Sequence, residues 1–289
     1  MSGARAAGLL LGVLADGAVG GKQRGRPVGG AATATAVLFG VAAGRAGRGR
    51  PVLRAASTAA ATWAVLGAAR IAADGTQLAR DLETGELRSA RGILSALDTR
   101  CTDELDVIGL SRASVEAVAE HTSDQVVAPL AWGAVAGVPG LLGSRGITAL
   151  RRRAAGWGPR YRWAGWVLAR LDELVHLLPA RVAAALTVAA APVVGGSAGA
   201  AWRAWRRDTA VHPSPNAGRV EAAFAGALEI RLGGRTVYPH GVVELPVLGD
   251  GRNPDAGHVT RAVELSRVVG WLATAASAVF AVLAGLRGR

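Results

Sequence analysis

Cysteine occurs once in the 289 residues, at Cys101, so neither a disulfide framework nor a cysteine-rich zinc or iron–sulfur centre can be assembled within one chain. Lysine is equally scarce: of 33 basic residues only Lys22 is not arginine, a skew that points to an arginine-favouring genome rather than to selection for bidentate phosphate contacts. A Walker A loop is missing, because Gly21-Lys22 is preceded by Asp16 at the first glycine position and followed by Gln23. HExxH and GxSxG are absent, and Gly195-Gly196-Ser197-Ala198-Gly199 lacks the GxGxxG spacing, so it reads as a helix terminus. The five histidines, His121, His176, His212, His240 and His258, are scattered, which leaves a zinc site only to tertiary assembly. No fixed-period repeat, Pro-rich linker or heptad run divides the chain, so residues 1–289 read as one membrane-embedded domain.

What is present is an unusual pairing of 51% hydrophobic residues and a mean hydropathy of +0.29 with a net charge of +12. That pairing excludes a disordered tail or a collagen-like chain. The charges are segregated: residues 74–124 hold eleven of the 21 acids against five Arg, a local net of −6, so the remainder carries +18. The segments 27–44, 55–69, 125–144, 182–202 and 268–286 contain no charged residue at all. Crossing a hydrocarbon core takes about 20 helical residues, range roughly 17–25, so four of these runs qualify by length and 55–69 needs its flanks. Arginine clusters at 45–54, 145–162, 203–207 and 287–289 lie beside the run ends, where Trp163, Trp166, Trp202 and Trp205 suit a membrane interface. The expected fold class is therefore all-α, a multi-pass integral membrane protein with hydrophilic loops at 74–124 and 203–267. Its expected neighbour is lipid and not nucleic acid.

The stretch 6–15 is too short to span and is interrupted by Asp16. Met1 and Arg5 ahead of it give it the outline of a signal peptide, but no small-residue cleavage site is followed by a soluble mature domain, and it reads as structural. Basic loops at 22–26 and 45–54 flank the run 27–44 and cannot both be cytoplasmic if that run crosses once, so at least one run reads as interfacial or re-entrant.

Three constellations remain for chemistry. Residues 111–124, SRASVEAVAEHTSD, place Glu116, Glu120 and Asp124 four apart along one side of a helix, either a solvated face or a carboxylate row for a hard cation such as Mg²⁺. Such like charges repel by about 0.2–0.5 kcal/mol per exposed pair. The run 169–181, ARLDELVHLLPAR, sets Asp172 and His176 four apart with Arg170 and Arg181 nearby, in a region where ionisable groups must be paired or face a polar cavity; the alternative is an interfacial amphipathic helix. The third, 208–234, gathers Asp208, His212, Ser214, Asn216 and Glu221 around Pro213 and Pro215, and predicts a helix over 219–230 ending at Gly233-Gly234. Asn216 or Ser214 is placed to cap that helix, whose N-terminus is a ready anion site.

The order of these pieces resembles the CobD/CbiB family of cobalamin biosynthesis (adenosylcobinamide-phosphate synthase, or cobinamide synthase). The matching blocks are Asp98-Thr99, 114–130, 169–181, and HPSPNAG at 212–218 through Leu232-Gly233-Gly234, Tyr238 and LPVLGDG at 245–251. The resemblance implies an integral membrane enzyme that links a propionate carboxylate of adenosylcobyric acid to the amine of (R)-1-amino-2-propanol or its O-phosphate, with ATP and Mg²⁺. ATP is sensible because a carboxylate is a poor electrophile and needs activation, most simply as an acyl phosphate. Carried over residue by residue, the resemblance makes Glu116, Glu120 and Asp124 metal ligands. It puts Asp98, Thr99, Arg170, Ser214 and Glu221 at substrate or nucleotide, and His212, Asn216 and Asp172 at the reacting groups, with His212 as acceptor of the ammonium proton.

The sequence departs from the family pattern at Gly20-Gly21-Lys22 and Arg26-Pro27-Val28, where relatives commonly carry Gly-Asp-Pro and His-Pro-Val. It also departs at Ala96-Leu97-Asp98-Thr99, Ala119-Glu120-His121 and Asp172-Glu173-Leu174-Val175-His176. The family's Asn-Thr-Leu-Asp becomes Thr148-Ala149-Leu150-Arg151, a carboxylate replaced by a cation. The expected activity is amide ligation in the cell membrane with a cytoplasmic active site. The rivals are a catalytically impaired membrane homologue that keeps corrinoid binding and a small membrane transport component.

Overall fold

A computed structural model describes residues 2–19, 50–154, 161–239 and 241–287. The apolar run 27–44, the basic loop 22–26, residues 45–49, 155–160 and 288–289 of the arginine clusters, His240 and the departures at 20–28 lie outside the described residues. Among the described residues the chain is all-α, as expected, apart from one β-hairpin inside the expected hydrophilic loop 203–267. Among them, three stretches are long and apolar enough to cross a membrane: Pro51–Thr84, Arg162–Val194 and Ala256–Ala284. Two of the expected spans are corrected. The run 125–144 is two shorter helices, because Gly137 takes a left-handed φ of 68° that breaks the helix between Ala136 and Val138. The run 182–202 is not continuous either: its first half ends the helix that starts at Arg162, a 3₁₀ turn Ala191–Val194 and left-handed Gly195 follow, and Ser197 caps a new helix by accepting from Ala200 N at 3.1 Å.

Chain contacts divide the protein into two compact units. The first comprises residues 1–69, 124–179 and 271–289. Its α1 (Ser2–Val19) lies along α2 (Pro51–Val65). Gly8 and Gly12 form a small-xxx-small edge there, and an added β-carbon would stand 2.5 Å from Thr58 Cβ and 2.4 Å from Thr62 Cβ respectively. The threonine hydroxyls turn back to donate to Arg54 O and Thr58 O, both at 2.8 Å, so the facing surface is satisfied hydrocarbon. Buried Asp16 ties the end of α1 to the chain beyond α2 by accepting from Ala69 N at 2.9 Å. The stretch 6–15 is thus a packed helix, in keeping with its structural reading. In the same unit α6 (Ala128–Ala136) and α7 (Val138–Ala154) meet at Gly137, and Trp132 Nε1 donates to Val175 O at 3.0 Å.

The second unit comprises 70–123 and 180–270. It holds α3 (Ala68–Thr84) from Arg70 on, α4 (Leu87–Leu97), α5 (Val107–Thr122), the end of α8 (Arg162–Ala190) from Ala180 on, α9 (Ala198–Asp208), α10 (Ala217–Leu228), the hairpin and α11 (Ala256–Arg287) as far as Gly270; the π-helical turn Ser123–Val127 after α5 passes into the first unit at Asp124. The core centres on α5 and α10. Leu110, Val115, Val118, Phe224 and Leu228 are all buried, each contributing about 1.5–3 kcal/mol for a fully buried large apolar side chain. The predicted helix 219–230 is α10, but it is stopped by Glu229 at φ 59°, not by the glycine pair. Gly233 and Gly234 belong instead to β1 (Leu232–Tyr238), which pairs antiparallel with β2 (Gly241–Leu248) from Leu232↔Leu248 to Tyr238↔Gly241. A register shift falls at these glycines because φ 81° at Gly233 brings its α-carbon against Pro246 O, where a β-carbon would sit 2.1 Å away.

Candidate active site

Asp106 starts α5 by accepting from Gly109 N at 2.7 Å. The helix is then buried on nearly every side, so the solvated-face reading fails for Glu116, only 3% exposed, while Glu120 and Asp124 are partly exposed. The spacing of four holds between Glu116 and Glu120. α-Helical phase ends at Thr122, and Asp124 stands in the π-helical turn within the first unit.

A buried Glu116 requires a partner, and Arg100 supplies it. Its Nη1 donates to Glu116 Oε2 at 2.6 Å while its Nε donates to Asp98 Oδ2 at 2.5 Å. Glu116 Oε1 accepts from Gly233 N at 2.7 Å, so the bulged start of β1 is pinned to α5 by the same carboxylate. Burial disfavours the Arg100 charge, but attraction from Glu116 and then Asp98 outweighs it and raises the guanidinium pKa.

Facing this network, the SPN turn holds His212. Its Nδ1 lies 3.1 Å from both the main-chain O and N of Ser214, and its Nε2 lies 3.5 Å from Glu221 Oε2 without a hydrogen bond. Ser214 Oγ accepts from Ala217 N at 3.2 Å, so the serine, and not the Asn216 side chain, caps α10. Gly218 permits the imidazole's approach: a β-carbon there would lie 2.4 Å from His212 Cγ. Burial, followed by Glu116 and Glu120, pushes the Glu221 carboxyl well above its ordinary range. Burial also lowers His212, only partly countered by its Ser214 contact, and so keeps the ring neutral near neutrality. Tyr238 at the end of β1 is raised by burial as well, within electrostatic reach of Arg100, Asp98, Glu116 and Glu221. The second unit therefore brings together Asp98, Glu116, Glu120, His212, Ser214 and Glu221, with Asn216 buried at the start of α10. Thr99 is exposed in the loop after α4.

The remaining candidates belong to the first unit. Asp172 on α8 accepts from Thr148 Oγ1 at 2.8 Å and pairs with Arg151 Nε at 2.9 Å. The cation that replaces the family's carboxylate thus neutralises Asp172 directly. His176 Nδ1 lies 2.8 Å from Asp172 O, and its Nε2, 3.9 Å from Asp124 Oδ1, makes no hydrogen bond. Burial pushes the Asp124 carboxyl up, against the pull of His176. Arg170 is exposed, ion-paired to Glu173 and laid over the Trp166 ring at 5.8 Å.

Arg100 and the Gly233 amide were missed in sequence, since nothing in the order Asp98-Thr99-Arg100 announces that the cation folds inward. Both oxygens of Glu116 are already engaged, and among the described residues no group of three His, Cys, Asp or Glu is arranged to hold a metal ion. Within the second unit, Glu116 and Glu120 therefore belong to no such group among the described residues.

These features define a helical protein with apolar helices of membrane-span length and a buried carboxylate–guanidinium cluster beside an imidazole. A family model described as CobD/Cbib protein matches residues 6–266, and the chain belongs to that family. It is 50% identical over 229 residues to the cobalamin biosynthesis protein CobD of Mycobacterium tuberculosis, covering 79% of this chain and 72% of that one. Identity is 39% over 191 residues with the protein of the same name from Rhodobacter capsulatus, covering 66% and 60%. With that of Chromobacterium violaceum it is 38% over 226 residues, covering 77% and 70%. No solved structure matches the chain.

Proposed function

We propose that the protein is a multi-pass membrane enzyme of cobalamin biosynthesis that forms the amide between a corrin propionate of adenosylcobyric acid and (R)-1-amino-2-propanol or its O-phosphate. Family membership supports the biosynthetic role, and three helical stretches of span length support membrane association. The observation that carries the reaction is the buried cluster of Asp98, Arg100, Glu116 and Glu221 beside neutral His212. ATP, brought as its Mg²⁺ complex, is the proposed co-substrate. Its γ-phosphoryl group passes to the carboxylate oxygen and ADP leaves; the amine nitrogen then attacks the acyl carbon, and phosphate departs as the C–N bond forms. The nitrogen must shed a proton in that step, and His212 is suited to take it because its ring is uncharged beforehand. Ser214 and Asn216 orient the substrate from the same turn. The site faces the cytoplasm, where nucleotide is available.

The test is full-length protein in detergent with adenosylcobyric acid, Mg-ATP and each amine in turn, read by product mass. Amide formation is expected with one of the two amines. If the Mycobacterium tuberculosis relative makes the amide under identical conditions and this chain makes none, the catalytic reading is lost. The ion pair Arg151–Asp172 favours a second reading, an impaired homologue, and in that case corrinoid binding persists without product.

A further inference from the structure

α4 carries Arg88, Arg91, Gly92 and Ser95 at spacings of three, four and seven, which places them on one helical face. Against that face lies the turn that follows the helix, and together they border an open cavity of about 510 Å³ lined by Arg88, Arg91, Ser95, Arg100, Thr102 and Asp103. The volume is within the range of roughly 300–1,000 Å³ usual for small-molecule sites. Three guanidinium groups thus meet a single carboxylate, inside a segment whose overall balance is strongly acidic. Arg100 is neutralised by Asp98 and Glu116, but Arg91 spends Nε and Nη2 on the main-chain carbonyls of Thr102, at 3.2 Å, and Leu105, at 3.0 Å. Those partners are uncharged, so the Arg91 side chain is held rigid while its positive charge stays uncompensated by them. Gly92 keeps the middle of the face open, with nothing within 4 Å of where a β-carbon would stand.

The geometry points to a phosphate-binding site in this cavity, formed by Arg88 and Arg91 with the hydroxyl-bearing Ser95 and Thr102, for the phosphate of a nucleotide or of a small phosphorylated amine. Guanidinium forks match phosphate oxygens in pairs, and the Thr102 hydroxyl can donate to an oxygen that remains; Ser95 Oγ donates to Gly92 O at 3.1 Å and must turn from that carbonyl to serve the ligand. Arg100 is common to this cavity and to the carboxylate cluster, so a bound phosphate would sit beside the proposed reaction site. The assignment deepens the amide-ligase reading by naming where its phosphorylated reactant is held.

The chain's one thiol supplies the readout, since exposed Cys101 lines the same cavity. Full-length protein in detergent is labelled with a fluorescent maleimide in the presence of inorganic pyrophosphate, ATP, aminopropanol O-phosphate, unphosphorylated aminopropanol, or sodium chloride at matched ionic strength. Pyrophosphate and at least one organic phosphate are expected to slow labelling several-fold at millimolar concentration, whereas aminopropanol and chloride leave the rate unchanged. Protection by ATP alone identifies the nucleotide as the source; protection by the aminoalkyl phosphate alone identifies the amine. Arg88→Glu, at an exposed position, is referred to its own ligand-free labelling rate and, relative to that rate, should need about tenfold more pyrophosphate for half-protection, the loss expected for one charge-assisted contact. The assignment is overturned if no phosphate slows labelling, if chloride protects equally, or if Arg88→Glu is protected as well as the wild type. Because labelling needs no turnover, a chain that forms no amide still gives a clean answer here, and a negative labelling result leaves amide formation to be judged by its own assay.

Discussion

Replacing Arg100 by Met leaves Glu116 and Asp98 facing each other without their cation. Glu116, at 3% exposure, keeps one hydrogen bond, from Gly233 N, and loses the 2.6 Å pair to Nη1; Asp98 loses the 2.5 Å pair to Nε. Removing one partner of a buried pair costs about 3–5 kcal/mol, because the stranded charge is not rehydrated. At roughly 2–4 °C per kcal/mol for a chain of this size, the melting temperature should fall by about 6–20 °C. Circular dichroism of the detergent-solubilised protein measures this. The double variant Arg100→Met/Glu116→Gln should recover a good part of the loss, since it removes the uncompensated charge and keeps an acceptor for Gly233 N. An Arg100→Met protein that melts within a degree or so of wild type, or a double variant no better than the single one, would falsify the account of this cluster as a mutually dependent ion network.

Glu221 gives a pH prediction. Its carboxyl is raised above the ordinary value of 4.5, so the native chain keeps a proton that the unfolded chain has released. The associated stability is complete below that ordinary value and is lost as pH rises through the raised native one. Wild type should therefore lose melting temperature relative to Glu221→Gln between about pH 5 and pH 8, and parallel curves would contradict the assignment. In the first unit, Gly12→Val must push α1 off α2, because even a β-carbon would approach Thr62 Cβ to 2.4 Å. Overpacking of this kind costs about 1–3 kcal/mol, and the melting temperature should drop by about 2–12 °C, while Gly3→Ala, with open space around it, does not lower it.

The apolar runs and their arginine borders were legible because helix length and hydropathy are local, additive properties of the sequence. They announced an all-α chain with helices of span length, and the helix after the SPN turn, with Ser214 as one of its two cap candidates, was equally local. The same signal overcounted at 125–144 and 182–202. An uncharged run does not record that Gly137 or Gly195 turns the chain within it, and positive φ at one residue outweighs composition across twenty. The hairpin was missed for a related reason: Gly233 and Gly234 look like a helix stop, and only pairing with β2 makes them a strand bulge.

Order along the chain sufficed to align Asp98, Glu116, His212, Ser214 and Glu221 with the CobD/Cbib blocks, because motif order is a one-dimensional property. It left undecided which carboxylate is neutralised, which keeps its proton, and where the cations go. Arg100, Arg91 and Arg88 are chemically identical in the sequence, but the fold assigns the first to an internal ion network and turns the other two toward an open cavity. Likewise Arg151 reads as a lost carboxylate until α7 and α8 set it against Asp172. Charge type is written in the chain; charge environment is created only when distant segments exclude water around it.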